Sequence, residues 1–200
     1  MPIDKWDFRF LELAWFISKW SKDPRTQVGA VIADQNRRII SVGFNGFPVR
    51  VRDLPERLND KELKNELVIH GEMNAILFAN RSLLGLGCSL YTYPFAPCSH
   101  CASVVVQAGI RRVVAPTISK PQGHWMHRSI ERTRLVFNEA RVEFIEYGES
   151  ITSSPPSLQE QSSPPTSQSH SLPGQSSQSP TERGTQLQLD LEQHNRTTWP

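Results

Sequence analysis

Residues 89–116 read SLYTYPFAPCSHCASVVVQAGIRRVVAP, and their patterning decides the fold. SLYTY (89–93) and RRVVAP (111–116) are short runs of β-branched and aromatic residues bounded by turn formers, so both read as strands. Between them a helix runs from about Cys98 to Gln107 and stops at Gly109, a residue suited to a left-handed helix cap. Strand, helix and strand in that order make a β-α-β unit, which requires parallel strands joined by a helical crossover.

Working outward, the same alternation continues. Downstream, a helix covers about 126–140 and VEFIEY (142–147) forms the last strand. Upstream, VGAVIA (28–33) and RIISVGF (38–44) flank the turn-forming Asp34-Gln35-Asn36 and read as a hairpin. A polar segment, 48–66, leads to a helix that starts near His70 and carries Ile76 and Leu77. At the start of the chain, Asp4 can cap a helix over about 5–20 whose Phe10, Leu13, Ala14 and Ile17 share one face. The order α-β-β-α-β-α-β-α-β implies a five-stranded mixed sheet in a three-layer α-β-α sandwich.

Composition sets the outer limits. The chain has 200 residues, 38% of them hydrophobic and 21% charged, with a net charge of +2. That charge is too small to argue for a nucleic-acid or membrane-surface partner. No apolar run approaches the ~20 residues of a bilayer span. MPIDKWDFRF (1–10) has neither a basic nor an apolar leader region, so the cytoplasm is the expected location. From Ser150 to Pro180 the chain is mostly Ser, Pro and Gln, and SSPP occurs at 153–156 and again at 162–165. Such a segment buries too little apolar surface to offset chain ordering. The folded domain is therefore expected over 1–149, with a disordered tail over 150–200.

Cys88, Cys98 and Cys101 are an odd set, which argues against a disulfide framework; Cys88 reads as a buried structural thiol. His70-x-Glu72 opens one helix and Pro97-Cys98-x-x-Cys101 opens the next. A helix N-terminus offers positive potential that favours the ionised thiolates a metal needs. One histidine and two thiolates give three protein ligands and leave a fourth tetrahedral position open, a catalytic zinc arrangement. Glu72 is then available to move protons. His100 sits between the two cysteines and points elsewhere; His124 and His127 read as surface histidines, and His170 and His194 as incidental residues of the tail.

H-x-E followed by P-C-x-x-C is the signature of zinc-dependent base deaminases. Residues 5–147 resemble the deoxycytidylate (dCMP) deaminase family of the cytidine/deoxycytidylate deaminase superfamily. The likeness rests on SKDPRTQVGAVI (21–32), GFNGFP (43–48), HGEMNAI (70–76), LYTYPFAPCSHCA (90–102) and VVVQAGIRRVV (104–114), together with the stretch 125–140. The resemblance implies hydrolysis of dCMP to dUMP and ammonia, which would supply thymidylate synthesis, with one Zn2+ per chain on His70, Cys98 and Cys101. It implies that Glu72 shuttles the proton and that Asn45 binds sugar or base. Thr26, Val28, Phe95 and Trp125 would line the base pocket, and the Gly71 N–H would reach the cytosine carbonyl. Lys22 is the first candidate for the phosphate or an effector, with Arg25 and Arg128 behind it. Family members are oligomers, dimer to hexamer, regulated by dCTP and dTTP, and Mg2+ would accompany such a nucleotide.

Two departures stand out: H-G-E where the family has H-A-E, and Arg141 where a glycine is usual after the helix. Two alternatives stay open. The substrate could be deoxycytidine, dCTP or a modified dCMP, or the chain could be a non-catalytic zinc-binding nucleotide sensor. TQLQLDLEQ (185–193) resembles peptides by which bacterial and phage replication proteins dock on the sliding clamp, through Gln186, Leu187, Leu189 and Leu191.

Overall fold

The computed structural model describes residues 3–117 and 124–148. The elements run α1 (Lys5–Ser18), β1 (Gly29–Ala33), β2 (Ile39–Phe44), α2 (Pro55–Asn59), α3 (Lys61–Leu67), α4 (Gly71–Phe78), β3 (Ser89–Tyr93), α5 (Ser99–Gln107), β4 (Arg112–Pro116), α6 (His124–Glu139) and β5 (Glu143–Tyr147). Every strand and helix expected from the sequence is present, with ends shifted by a residue or two. Two short helices lie in the segment expected only to be polar. Pro55 begins α2, where its missing N–H costs nothing. Asp60 caps α3 by accepting from the N–H groups of Glu62 and Leu63.

The sheet order is β2-β1-β3-β4-β5. β1 is antiparallel to both β2 and β3, whereas β3, β4 and β5 are mutually parallel, as the β-α-β pattern requires. The alternation of β1 supplies both cores. Val31 and Ala33 face α1, packing with Phe10, Leu11, Ala14, Tyr91 and Val114. Ala30 and Ile32 face the other way, packing with Ala75, Leu90, Ala102, Val105, Val113 and Phe137 beneath α4, α5 and α6. Cys88 is fully buried in this second core.

The β1–β2 hairpin is where the layers come closest. A Cβ at Gly29 would overlap the Ala14 carbonyl oxygen of α1, and one at Gly43 would overlap the Ala75 nitrogen and the Gly71 carbonyl oxygen of α4. Only glycine allows both helices to press backbone to backbone on the sheet. Side chains then lock α4 in place: Ser41 Oγ donates to the Ala75 carbonyl at 2.6 Å and Asn74 Nδ2 to the Phe44 carbonyl at 2.8 Å.

α5 and α6 end in the same way. Gly109 (φ 85°) and Arg141 (φ 55°) take the left-handed position. Each is followed by a residue whose N–H returns five residues: Ile110 to Val105, Val142 to Phe137. Arg141 holds a conformation that costs a non-glycine residue roughly 1–2 kcal/mol.

Candidate metal and proton-transfer site

The strand topology gathers one end of the sheet. Gly29 pairs with both Phe44 and Tyr93, so the start of β1, the end of β2 and the end of β3 lie side by side. The segments leading into β1 and out of β2 and β3 therefore meet there. α4 and α5 both begin at this end, and their first residues carry the chemistry.

His70 is the N-cap of α4 and Cys98 the N-cap of α5. His70 Nδ1 stands 3.6 Å from Cys98 Sγ and 3.3 Å from Cys101 Sγ, and the ligand atoms of all three lie within 4.8 Å of one another. Zn–S bonds of about 2.3 Å and Zn–N bonds of about 2.0 Å at tetrahedral angles would separate nitrogen and sulfur by roughly 3.5 Å. The observed spacings match that requirement, and the donor set of one imidazole and two thiols is one zinc takes readily. These residues fit zinc.

The ligand turn is fastened by α6. Thr133 Oγ1 donates to the Pro97 carbonyl at 2.9 Å, and the Ser99 N–H donates to Ser129 Oγ at 3.0 Å. Cys98 is thus held on both sides. Its sulfur also accepts from the Cys101 N–H at 3.5 Å, so one atom caps the helix and faces His70.

Titration of the protein's own groups follows this crowding. A hydrogen bond from Cys101 lowers the Cys98 thiol to about 3, overcoming burial, and His70 adds to the effect. The Cys101 thiol is pushed up by that same hydrogen bond and by burial. His70 rises to about 9, chiefly through its hydrogen bond to Cys98. Glu72 is buried, its carboxyl is raised by desolvation, and His70 only partly opposes this. Its Oε2 has no hydrogen-bond partner although it is fully buried. A buried carboxylate oxygen left unsatisfied costs about 1–3 kcal/mol, and beside a metal-ligating trio that cost suits a group kept available for chemistry.

The remaining residues singled out in the sequence are placed as follows. Thr26, Val28 and Gly71 are gathered with Asn45: Asn45 Oδ1 accepts from the Val28 N–H at 2.7 Å, and Asn45 Nδ2 donates to the Thr26 carbonyl at 2.8 Å. A Cβ on Gly71 would meet the Val28 carbonyl oxygen at 3.2 Å, so alanine there would push that carbonyl by a few tenths of an ångström. Phe95 is half-buried in the turn before Cys98, its carbonyl accepting from Thr92 Oγ1. Lys22 is exposed and paired with Asp53 at 2.8 Å, while Arg25 donates to the Asn59 carbonyl at 3.2 Å. Trp125 lies in the first turn of α6, and its side chain is outside the described residues, as are Gln186, Leu187, Leu189 and Leu191. His100 is exposed, and exposed His127 lies 3.3 Å from Glu131.

Sequence reasoning missed Asp23 and Lys64. Both are buried, with Lys64 Nζ 2.8 Å from Asp23 Oδ2. A basic residue in a polar segment carries no sign of burial; only the Asp60 cap, which places Lys64 one turn into a helix, hinted at an ordered setting.

Comparison with known proteins agrees with this geometry. The family model for the cytidine and deoxycytidylate deaminase zinc-binding region matches residues 4–117. An Aliivibrio fischeri protein, named an uncharacterized deaminase in luxG 3′region, is 42% identical over 141 residues, covering 70% of this chain and 92% of the relative. The Homo sapiens deoxycytidylate deaminase is 37% identical over 147 residues, covering 70% of this chain and 78% of its own length. The crystal structure of the dCMP deaminase from cyanophage S-TIM5 in complex with dCMP and dUMP shares the fold, with a TM-score of 0.55 at 21% identity. The match covers 74% of this chain and 100% of the phage chain.

Proposed function

The chain belongs to the cytidine and deoxycytidylate deaminase family, and on that premise we propose that it hydrolyses dCMP to dUMP and ammonia. The observation that carries the reading is the buried, unpartnered Glu72 carboxylate oxygen beside the His70–Cys98–Cys101 cluster.

His70, Cys98 and Cys101 would hold zinc, which supplies a Lewis acid strong enough to ionise water near neutral pH. Glu72 manages the protons. Its raised pKa brings it toward the working range of a general acid and base. It takes a proton as water adds to C4 of cytosine, gives it to N3, and assists departure of the amino group as ammonia. The Gly71 N–H sits in the first turn of α4, where helix N–H groups lack intrahelical partners, and serves the cytosine carbonyl. Asn45 Oδ1 has one lone pair left after binding the Val28 N–H, enough to accept from a sugar hydroxyl. Thr26, Val28 and Phe95 would wall the base, and Trp125 is assigned to the same wall from the sequence resemblance alone. The phosphate falls to the basic residues around Lys22, with Arg25 and Arg128 in support.

Finer features rest on the sequence resemblance. They are a homo-oligomer of two to six chains, dCTP and dTTP as effectors with Mg2+, and a sliding-clamp contact through Gln186, Leu187, Leu189 and Leu191. No helix among the described residues is long and apolar enough to cross a membrane. The free thiols Cys88, Cys98 and Cys101 suit the reducing cytoplasm.

The test is an ultraviolet assay of the purified chain on dCMP, deoxycytidine, CMP and dCTP, with zinc analysis of the same sample. Preferred turnover of dCMP with about one zinc per chain is expected. Zinc without turnover of any of the four would reject the reading.

A further inference from the structure

The segment between Gly46 and His70 is closed at its neck. Gly46 and Ile69 exchange two backbone hydrogen bonds, at 3.1 and 2.9 Å, so its ends abut Asn45 on one side and His70 on the other. α3, the last helix before that neck, turns Lys64 inward. Lys64 is the only buried lysine or arginine among the described residues. Its Nζ reaches both oxygens of Asp23, Oδ2 at 2.8 Å and Oδ1 at 3.0 Å.

Asp23 passes this anchoring on. Its Oδ1 accepts from the N–H groups of Arg25 at 2.8 Å and Thr26 at 3.0 Å. Its own N–H donates to Ser21 Oγ at 3.2 Å, and Ser21 Oγ donates to the Asn45 carbonyl at 2.8 Å. Asn45 then ties Thr26 and Val28 by its side-chain amide. The network therefore includes residues that the proposed function places around the substrate. A buried ion pair contributes little net stability, because desolvation offsets its attraction. Its worth here is geometric. Lys22–Asp53 and Arg25–Asn59 also join the 46–70 loop to this wall, but at the surface, whereas Lys64–Asp23 is the buried tie to a wall that carries no regular secondary structure.

We propose that Lys64, acting through Asp23, is a positioning residue for the substrate pocket, fixing residues 25–28 and the Asn45 amide opposite the start of α4. This rests on the deaminase reading, and two separate measurements keep the two apart. Zinc-loaded full-length protein is compared with Lys64→Met and with the double variant Asp23→Asn/Lys64→Met. In the double variant the amide oxygen that replaces the Asp23 carboxylate can still accept from the Arg25 and Thr26 N–H groups, and no lone buried carboxylate is left.

Amide hydrogen exchange of Arg25, Thr26 and Val28 is expected to quicken by about tenfold or more in both variants. KM for dCMP is expected to rise about tenfold while kcat stays within about threefold and zinc content is unchanged. Unchanged exchange, or unchanged KM in protein whose exchange has quickened, overturns the proposal. If Lys64→Met alone does not fold, the double variant decides. Native exchange and KM in that variant would overturn the proposal too, by showing that charge balance, not the ion pair, is what matters. If the native chain turns over no cytosine nucleotide, the functional reading has failed, and the exchange measurement alone decides whether Lys64 positions the segment.

Discussion

At the leading end of β3 and β4, Asp7 accepts from Arg112 Nη1 and Nη2, from the Tyr91 hydroxyl and from the Asp4 N–H, while Arg112 Nε reaches Glu143. At the trailing end, beyond Tyr93, His70 and the two cysteines crowd together and Glu72 Oε2 has no partner. Both ends bury charge. The first closes its hydrogen bonds internally and holds α1 against the sheet; the second leaves a buried carboxylate oxygen without a partner beside the ligand trio. Buried polar groups that satisfy one another serve stability, whereas those left short serve a ligand.

The contrast can be broken most severely at the trailing end. Removing the metal with a chelator, or replacing Cys98 with alanine, should take deamination to background. Zinc should restore the chelated protein but not the variant. Glu72→Gln comes next, with a loss in kcat of about 10³-fold at unchanged zinc content. Its melting temperature should hold or rise, since a buried carboxyl gives way to a neutral amide; a marked fall would mean that Glu72 supports the fold.

The leading end should answer in stability alone. Arg112→Met leaves the Asp7 carboxylate buried and unpaired, and is expected to cost about 3 kcal/mol in denaturant unfolding, with kcat unchanged in the folded fraction. Acid offers a milder probe. Burial raises the Asp7 carboxyl, but the Arg112 guanidinium, the Asp4 N–H and Tyr91 together bring it below its ordinary value of 3.8. Asp23 is likewise lowered, by Lys64 and the Arg25 and Thr26 N–H groups against its burial. A carboxyl depressed in the folded state stabilises the fold fully above its unfolded pKa, and that contribution is lost as pH falls through the folded value. Unfolding free energy should therefore decline below pH about 4, and Asp7→Asn should flatten the decline. The smallest change expected is a gain: Arg141→Gly relieves the left-handed strain at the end of α6 and should add about 1 kcal/mol with no effect on turnover.

Much of this was legible in the sequence because periodicity and spacing report local structure directly. The β-α-β order, the Asp4 cap, the hairpin and the metal trio all follow from residues close in sequence or from helix starts. Arg141 was legible through the resemblance alone: the glycine usual at that position implies a left-handed residue after the helix, and Arg141 has φ 55°. What escaped were contacts between distant polar residues. Asp7 meets Arg112, and Asp23 meets Lys64, only after the sheet and the inserted loop have formed. A charged residue looks the same in sequence whether it will be solvated or paired inside. Lys22, the first basic residue chosen for the phosphate, is exposed and pairs with Asp53 at the surface, whereas Lys64 is the buried one.

The absent side chain at Gly43 has a reach beyond packing. Because β2 touches the Gly71 carbonyl and the Ala75 nitrogen directly, the depth to which α4 sinks onto the sheet is gauged by backbone thickness alone. His70 and Glu72 ride on that helix, while Cys98 and Cys101 ride on another. A methyl at position 43 would act as a shim, lifting imidazole and carboxylate together away from the sulfurs. The closeness of the chemical groups is thus measured out where α4 meets β2, by a residue with no chemistry of its own.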